Sequence, residues 1–199
     1  MKNFYLYLAI CLLAVSCNEI EPISIKEYVS NEMVLIEPGI KNHIRKDSIP
    51  ITIPIEFTIT QNTSNLTNLD LFFLSINGKR LLDYGIDYQT YDKQNPAKPY
   101  YFSLDEKELA SKRNNKIIVR VQTQMISREK AVELVKKYKG KDMLKSLKIN
   151  GCIKLIPYNR FSKDNPDIIQ GFRKINDSIV FVASLSSGKD IAVKKKINW

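Results

Sequence analysis

The chain has 199 residues, 44% of them apolar, and 31 Lys and Arg against 21 Asp and Glu give a formal net charge of +10. That length fits one domain with a real core, and the charge directs attention to anionic headgroups, acidic glycans or an acidic partner. The basic residues are not interleaved with aromatics in any nucleic-acid-binding motif, which argues against nucleic acid. Three cysteines and one histidine leave no material for a disulfide framework or a histidine-built metal centre.

The first stretch, Met1 to Cys17, carries one charge, Lys2, before the apolar run Phe4–Leu13. The run is about half of the ~20 residues that span a bilayer, but it fits the apolar region of a secretory signal. Ala14-Val15-Ser16-Cys17 then resembles the lipobox of a bacterial lipoprotein signal, with Ala14 where Leu is usual. A plain signal peptide with a chance cysteine is the alternative. The resemblance implies a signal peptide over 1–16 and a mature chain that begins at Cys17, bearing a thioether-linked diacylglycerol and an amide-linked acyl chain. At ~0.8 kcal/mol per buried methylene, three chains make a stable anchor where one would not. Cys11 leaves with the signal, so Cys152 has no intrachain partner.

Residues 17–31 have no clear period and read as a lipidated tether, and 32–199 as one domain. Glu32–Glu37 suits a strand ended by Pro38-Gly39, and His43 lies in the polar loop that follows. Ile51–Thr60 alternates apolar and polar residues as a half-buried strand does, and Pro50 and Pro54 predict an edge position or a bulge. Leu69–Ile76 is apolar on both faces and suits an interior strand, and Asn77-Gly78 is a type I′ turn into Lys79–Leu82. Residues 83–98 read as a long loop or short hairpin. Strand character returns at Pro99–Leu104, Ser103 with Glu106 suits a capping box for a short helix over 105–111, and Lys116–Met125 is a further strand.

One full helix is expected. Ser127 offers its N-cap, Ala131, Leu134, Val135 and Tyr138 recur at helical spacing, and Gly140 stops it before a shorter continuation over 142–147. Its outward face is basic, and Lys130, Lys137 and Lys141 are the candidate partner-binding residues; a merely solvated face is the alternative. Gly151–Tyr158 reads as a strand with Cys152 as a buried thiol, and 159–172 as a loop. Ser178–Leu185 and Lys189–Ile197 form a closing hairpin through Ser187-Gly188, with Lys194, Lys195 and Lys196 protecting an edge. Trp199 is expected to pack back onto the domain.

No Ser/His/Asp grouping, phosphate loop, HExxH or calcium pattern occurs, so the expectation is a non-enzyme with no cofactor and no metal site. Asp47-Ser48-Ile49 and Asp177-Ser178-Ile179 look like the Asp-Ser/Thr-aliphatic sites at which one large group of Gram-negative bacteria attaches O-glycans, which makes Ser48 and Ser178 candidate glycosylation sites. Tyr84, Tyr88, Tyr91, Tyr100 and Tyr101 cluster with Phe102, either as core and loop anchors or as a platform for sugars. The expected fold is an immunoglobulin-like or transthyretin-like β-sandwich of about seven or eight strands with one helical insertion at 127–148. In broad plan, and without any shared residue motif, this resembles the outer-membrane lipoprotein of type VI secretion membrane complexes. The functional expectation is a lipid-anchored outer-membrane subunit of an envelope assembly with a protein partner, its leaflet undecided; the alternative is a surface glycan-binding lipoprotein of a nutrient-uptake system. With His43 and Cys152 each alone, the unfolding temperature of the chain from Asn18 onward should ignore chelator and reductant. A drop with either, read by calorimetry, would reveal a metal or an intermolecular bridge.

Overall fold

The computed structural model describes residues 21–38, 47–83, 87–148, 151–173 and 176–199. The signal segment, Cys17, His43 and Tyr84 lie outside the described residues. In chain order the strands are β1 (Ile23–Val29), β2 (Met33–Ile36), β3 (Ser48–Gln61), β4 (Leu66–Ile76), β5 (Lys79–Leu81), β6 (Tyr88–Asp92) and β7 (Asn95–Pro99). They continue as β8 (Ser103–Asp105), β9 (Asn114–Val121), β10 (Met125–Ser127), β11 (Ile153–Pro157), β12 (Ser178–Leu185) and β13 (Asp190–Lys196). Two antiparallel sheets result, and the fold is a β-sandwich. The larger sheet runs β11-β2-β3-β9-β6-β7, with β1 and β10 also on β3; the smaller runs β13-β12-β4-β5, with β8 beside β5 on β4.

The alternating stretch becomes β3, the longest strand of the fold. Its odd positions Ile49, Ile51, Ile53, Ile55, Phe57 and Ile59 are all buried in one continuous core. Contrary to the expectation from its prolines, β3 is central. One flank carries β1 and then β2; the other carries β9 and then β10. Ile51 donates its amide to the Gln124 carbonyl on the β9–β10 flank (2.9 Å), so the even-numbered residues turn their backbone groups to the other flank. Pro54 therefore faces the place where β1 ends opposite Ile55 and β2 has not yet begun opposite Thr52. Its missing donor falls where the ladder is interrupted. Pro50 needs only to accept, and its carbonyl takes the Glu37 amide (3.1 Å).

The tether assignment is corrected here: Ile23–Val29 pairs with β3 over its whole length, so the domain begins at Ile23 and not at residue 32. Ile23 and Ile25 face the core while Lys26 and Tyr28 face out, an alternation that Glu27 and the two serines hide in a short window. Breaks in β1–β2 and β9–β10 account for two of the strands by which the thirteen described exceed the seven or eight expected, and the short strands β5, β7 and β8 for three more.

The helices are α1 (Glu106–Ser111), α2 (Arg128–Lys139), α3 (Leu144–Lys148), α4 (Tyr158–Asp164) and α5 (Pro166–Arg173), with a 3₁₀ turn at Lys141–Met143. Ser127 caps α2 through the Lys130 amide (3.1 Å), and Gly140, at φ 80°, ends it. The box at α1 is Asp105 with Glu108, not Ser103 with Glu106: each side chain accepts from the other's amide (2.9 and 3.1 Å). The single helical insertion is likewise corrected, because 158–173 forms α4 and α5. Tyr158 and Phe161 on one, and Ile168, Ile169 and Phe172 on the other, point into the core.

Trp199 packs back as expected. Its ring meets Phe172 edge-on (5.9 Å between centroids) and its Nε1–H donates to Asp177 Oδ2 at 2.7 Å. Asp177 Oδ1 accepts the Asn77 amide (2.8 Å) in the Asn77-Gly78 turn, where both residues have positive φ. One buried carboxyl thus ties the chain end to a hairpin on β4. Burial pushes the Asp177 carboxyl above its ordinary value, against the two hydrogen bonds that lower it. Asp177→Ala strands the indole N–H and should cost about 1–3 kcal/mol in chemical denaturation, whereas Asp177→Asn, which keeps one acceptor and the neutral form that burial favours, should cost less. A raised carboxyl stabilises fully below its unfolded value and loses that contribution as pH rises through its folded value. Wild type should therefore lose more stability than Asp177→Asn between acid and neutral pH.

Candidate functional site

Three surface features carry enough organisation to be weighed. The first is a cleft of about 460 Å³ between α1 and the β6–β7 hairpin, lined by Tyr100, Leu104, Asn95, Asp92, Glu108 and Lys98 among others. The hairpin forms because Asp92 accepts the Gln94 amide (2.8 Å), and Glu108 is committed to the α1 cap. Both carboxylates hold backbone, which leaves the cleft an amide- and ammonium-rich trough beside a tyrosine. It has the parts to hold a polar ligand, and the Ser111 hydroxyl that also lines it donates to the Glu108 carbonyl (2.8 Å).

A second feature lies on the outer face of the larger sheet. Arg120 on β9 places its guanidinium over the Tyr91 ring (4.1 Å) and reaches Glu32 (3.5 Å), while Lys93 pairs with Glu56 (2.9 Å). Tyr91 and Ile118 are buried beneath these charges. Sequence reasoning missed this network, since Glu32 and Arg120 are 88 positions apart and only the order β2-β3-β9 brings them together. The tyrosine cluster resolves toward packing: Tyr88, Tyr91 and Phe102 are buried, Tyr100 is partly so, and Tyr101 is exposed.

The third feature is α2. Ala131, Leu134 and Val135 dock in the core as the spacing predicts. Two of the three lysines chosen for a partner also make contacts within the domain at its surface. Lys130 pairs with Glu133 (3.0 Å) and Asp167 (3.5 Å), and the bond to Glu133 chiefly holds its ammonium above its ordinary value. Lys137 donates to the Asp164 carbonyl (3.2 Å) and lies over the Tyr138 ring (5.0 Å). The cause is α4–α5, read as a loop from sequence, which lies beside α2. Lys136, Lys137, Lys139, Lys141 and Lys145 are exposed, and Lys130 is partly so.

The candidate glycosylation serines are not at accessible loop ends. Ser178 is 1% exposed and sits in β12 between β13 and β4, and Ser48 pairs with Ser127; both hydroxyl oxygens are buried. A glycosyltransferase could not reach either without opening a strand. Cys152 corrects in the opposite sense: it is exposed, because β11 starts only at Ile153 and the residue before it lies outside the ladder. Partial desolvation and then the Glu37 carboxylate raise its thiol above the ordinary value, so it is accessible without being activated.

Among the described residues no group of three or more His, Cys, Asp or Glu is placed to hold a metal, and no helix is long and apolar enough to cross a membrane. No protein-family model matches the chain, and comparison with curated proteins and solved structures returns no match. Alkylation of Cys152 by iodoacetamide should be slow at neutral pH and accelerate only as pH rises past the ordinary thiol value. Fast reaction at pH 7, followed by mass, would mean that the thiol is activated after all.

Proposed function

We propose that the protein is a non-enzymatic outer-membrane lipoprotein, held by acyl chains on Cys17, that serves as an interaction subunit of an envelope assembly. The observation that carries the reading is the apolar run ending in Ala14-Val15-Ser16-Cys17, followed within six residues by Ile23, the start of the first strand. An anchor so close to the sandwich holds the whole domain at the bilayer surface, and three acyl chains supply the affinity. The exposed charge of α2 and of the turn and helix after it, on Lys136, Lys139, Lys141 and Lys145, is the surface for an acidic protein partner, with Lys130 and Lys137 beside it tying α2 to α4 and α5. Charge of this kind speeds and orients encounter more than it deepens affinity.

A second reading has one specific observation in its favour. The cleft under Tyr100 offers an aromatic ring beside Asn95 and Asn115, the pairing that sugar recognition uses, and would suit a surface glycan-binding lipoprotein of a nutrient-uptake system.

Cys17→Ala should move the protein from the membrane to the soluble fraction and abolish acyl labelling; an unchanged distribution would overturn the anchor. In envelope pull-downs, Lys136→Glu with Lys141→Glu should reduce recovery of an acidic partner while leaving stability within ~0.5 kcal/mol per site. Recovery unaffected by the lysines, together with retention on a glycan column that Tyr100→Ala abolishes, would favour the second reading.

A further inference from the structure

The sandwich has two dissimilar ends, and the chain enters at one of them. Asn62 holds residues 21 and 22 against the β3–β4 turn: its amide donates to the Pro22 carbonyl (2.9 Å) and its side chain to the Glu21 carbonyl (2.9 Å). Ile23 then pairs with Gln61 at the last position of β3. Gathered at the same end are α1, Arg113, whose Nε donates to the Gln61 carbonyl (3.2 Å), and the β12–β13 turn, where Ser186 donates to the Asn65 carbonyl (2.9 Å). The opposite end is set by Ser48, from which α2 departs: the Arg128 amide donates to the Asp47 carbonyl (3.1 Å). A fourteen-residue strand spans about 43 Å at ~3.3 Å per step, so the two ends lie on the order of 40 Å apart.

From this we infer that the protein stands upright on its bilayer, with the end formed by Glu21, the 62–65 turn, α1 and the 186–189 turn against the lipid headgroups and α2 on the half that faces away. The inference rests on acylation at Cys17 and goes beyond it, because an anchor alone does not orient a domain. What orients it is the shortness of the link: Cys17 and Glu21 are four residues apart, which even fully extended reach at most about 14 Å. Glu21 itself is pinned to Asn62. A link that short keeps this end within about 14 Å of the headgroups, and the α2 half reaches them only if the whole domain lies flat.

The chemistry of the near end suits headgroups rather than acyl chains. Its exposed side chains are hydroxyls, amides and charges of both signs, among them Glu21, Asn62, Ser64, Glu106, Arg113 and Lys189. The large apolar side chains exposed among the described residues, Tyr28, Val29, Met33, Phe72, Leu82, Tyr101 and Met143, are all elsewhere. This end rests on the polar layer and does not insert. The lysines of α2 are correspondingly too far away to be spent on the anionic lipid of the same membrane.

The molecule supplies its own probe. In the acylated chain Cys152 is the one free thiol, it is exposed, and Ile153 after it is level with Ile36 and hence with Ile51, toward the far end of β3. The full acylated protein is reconstituted in vesicles of phosphatidylethanolamine and phosphatidylglycerol containing a headgroup nitroxide lipid. A fluorophore is placed either on Cys152 or on Ser64→Cys in a Cys152→Ser background. Fluorescence should be largely quenched at position 64 and should stay at its nitroxide-free level at 152. Equal quenching at both, or stronger quenching at 152, overturns the upright orientation while the anchor stands. Flotation of the same vesicles reads the anchor separately: protein left at the bottom of the gradient overturns the acylation, and the orientation with it.

Discussion

Burial of the odd-numbered side chains of β3 is the constraint on which the rest of the molecule depends. Five isoleucines and a phenylalanine on one face of a single strand fix which side of the larger sheet meets the smaller one. A slip of one residue in any partner would turn a row of polar side chains into that core. Both flanks of β3 are occupied along nearly the whole strand, so every other strand of the larger sheet takes its register from it directly or through β2 and β9. Truncating Phe57 at its centre would cost about 3–5 kcal/mol by the usual measure of large core deletions.

Polar groups complete what the core begins. Asp177 is wholly buried, and its two acceptor oxygens join the β4–β5 turn, the β12 strand and Trp199 into one knot at the far end. Gln61 does similar work at the near end, donating to the Leu109 and Lys112 carbonyls (3.0 Å each) and so closing α1 onto β3. Because unpaired buried groups are expensive, these two residues specify how the ends close more sharply than apolar packing could.

Much of the fold was legible in the sequence where a period or a cap was strong. The Ile51–Thr60 alternation, the Asn77-Gly78 turn, Ser127 with Gly140 around α2 and the closing hairpin are local signals, and the structure keeps each of them. What was not legible depends on distant partners. Pro54 argued for an edge because no local signal says that its partner strand is interrupted at that point. The 158–173 helices were obscured by Asp164-Asn165-Pro166, which reads as a turn and is one, but a turn between two helices rather than inside a loop. The contacts of Lys130 with Asp167 and of Lys137 with the Asp164 carbonyl were out of reach of a helical wheel, because the wheel does not contain α4 and α5. Ser48 and Ser178 sit next to Asp residues in a sequence pattern, and only the pairing of β12 on both sides reveals that its first residue is enclosed. The cleft beside Tyr100 and the Arg120 network have no local signature at all.

The gap between β1 and β2 has a mechanical side. Opposite Pro54 the flank of β3 is unladdered, so β2 and β11 join the near part of the hydrogen-bonded sheet through β3 rather than through a continuous neighbouring strand. Sheets transmit shear through adjacent hydrogen-bonded strands, and a missing rung is where they yield first. The larger sheet is thereby divided into a block laddered from β1 through β9 to β6 and a helix-bearing block that can breathe as its own cooperative unit. Such a division lets one block stay closed while the other adjusts.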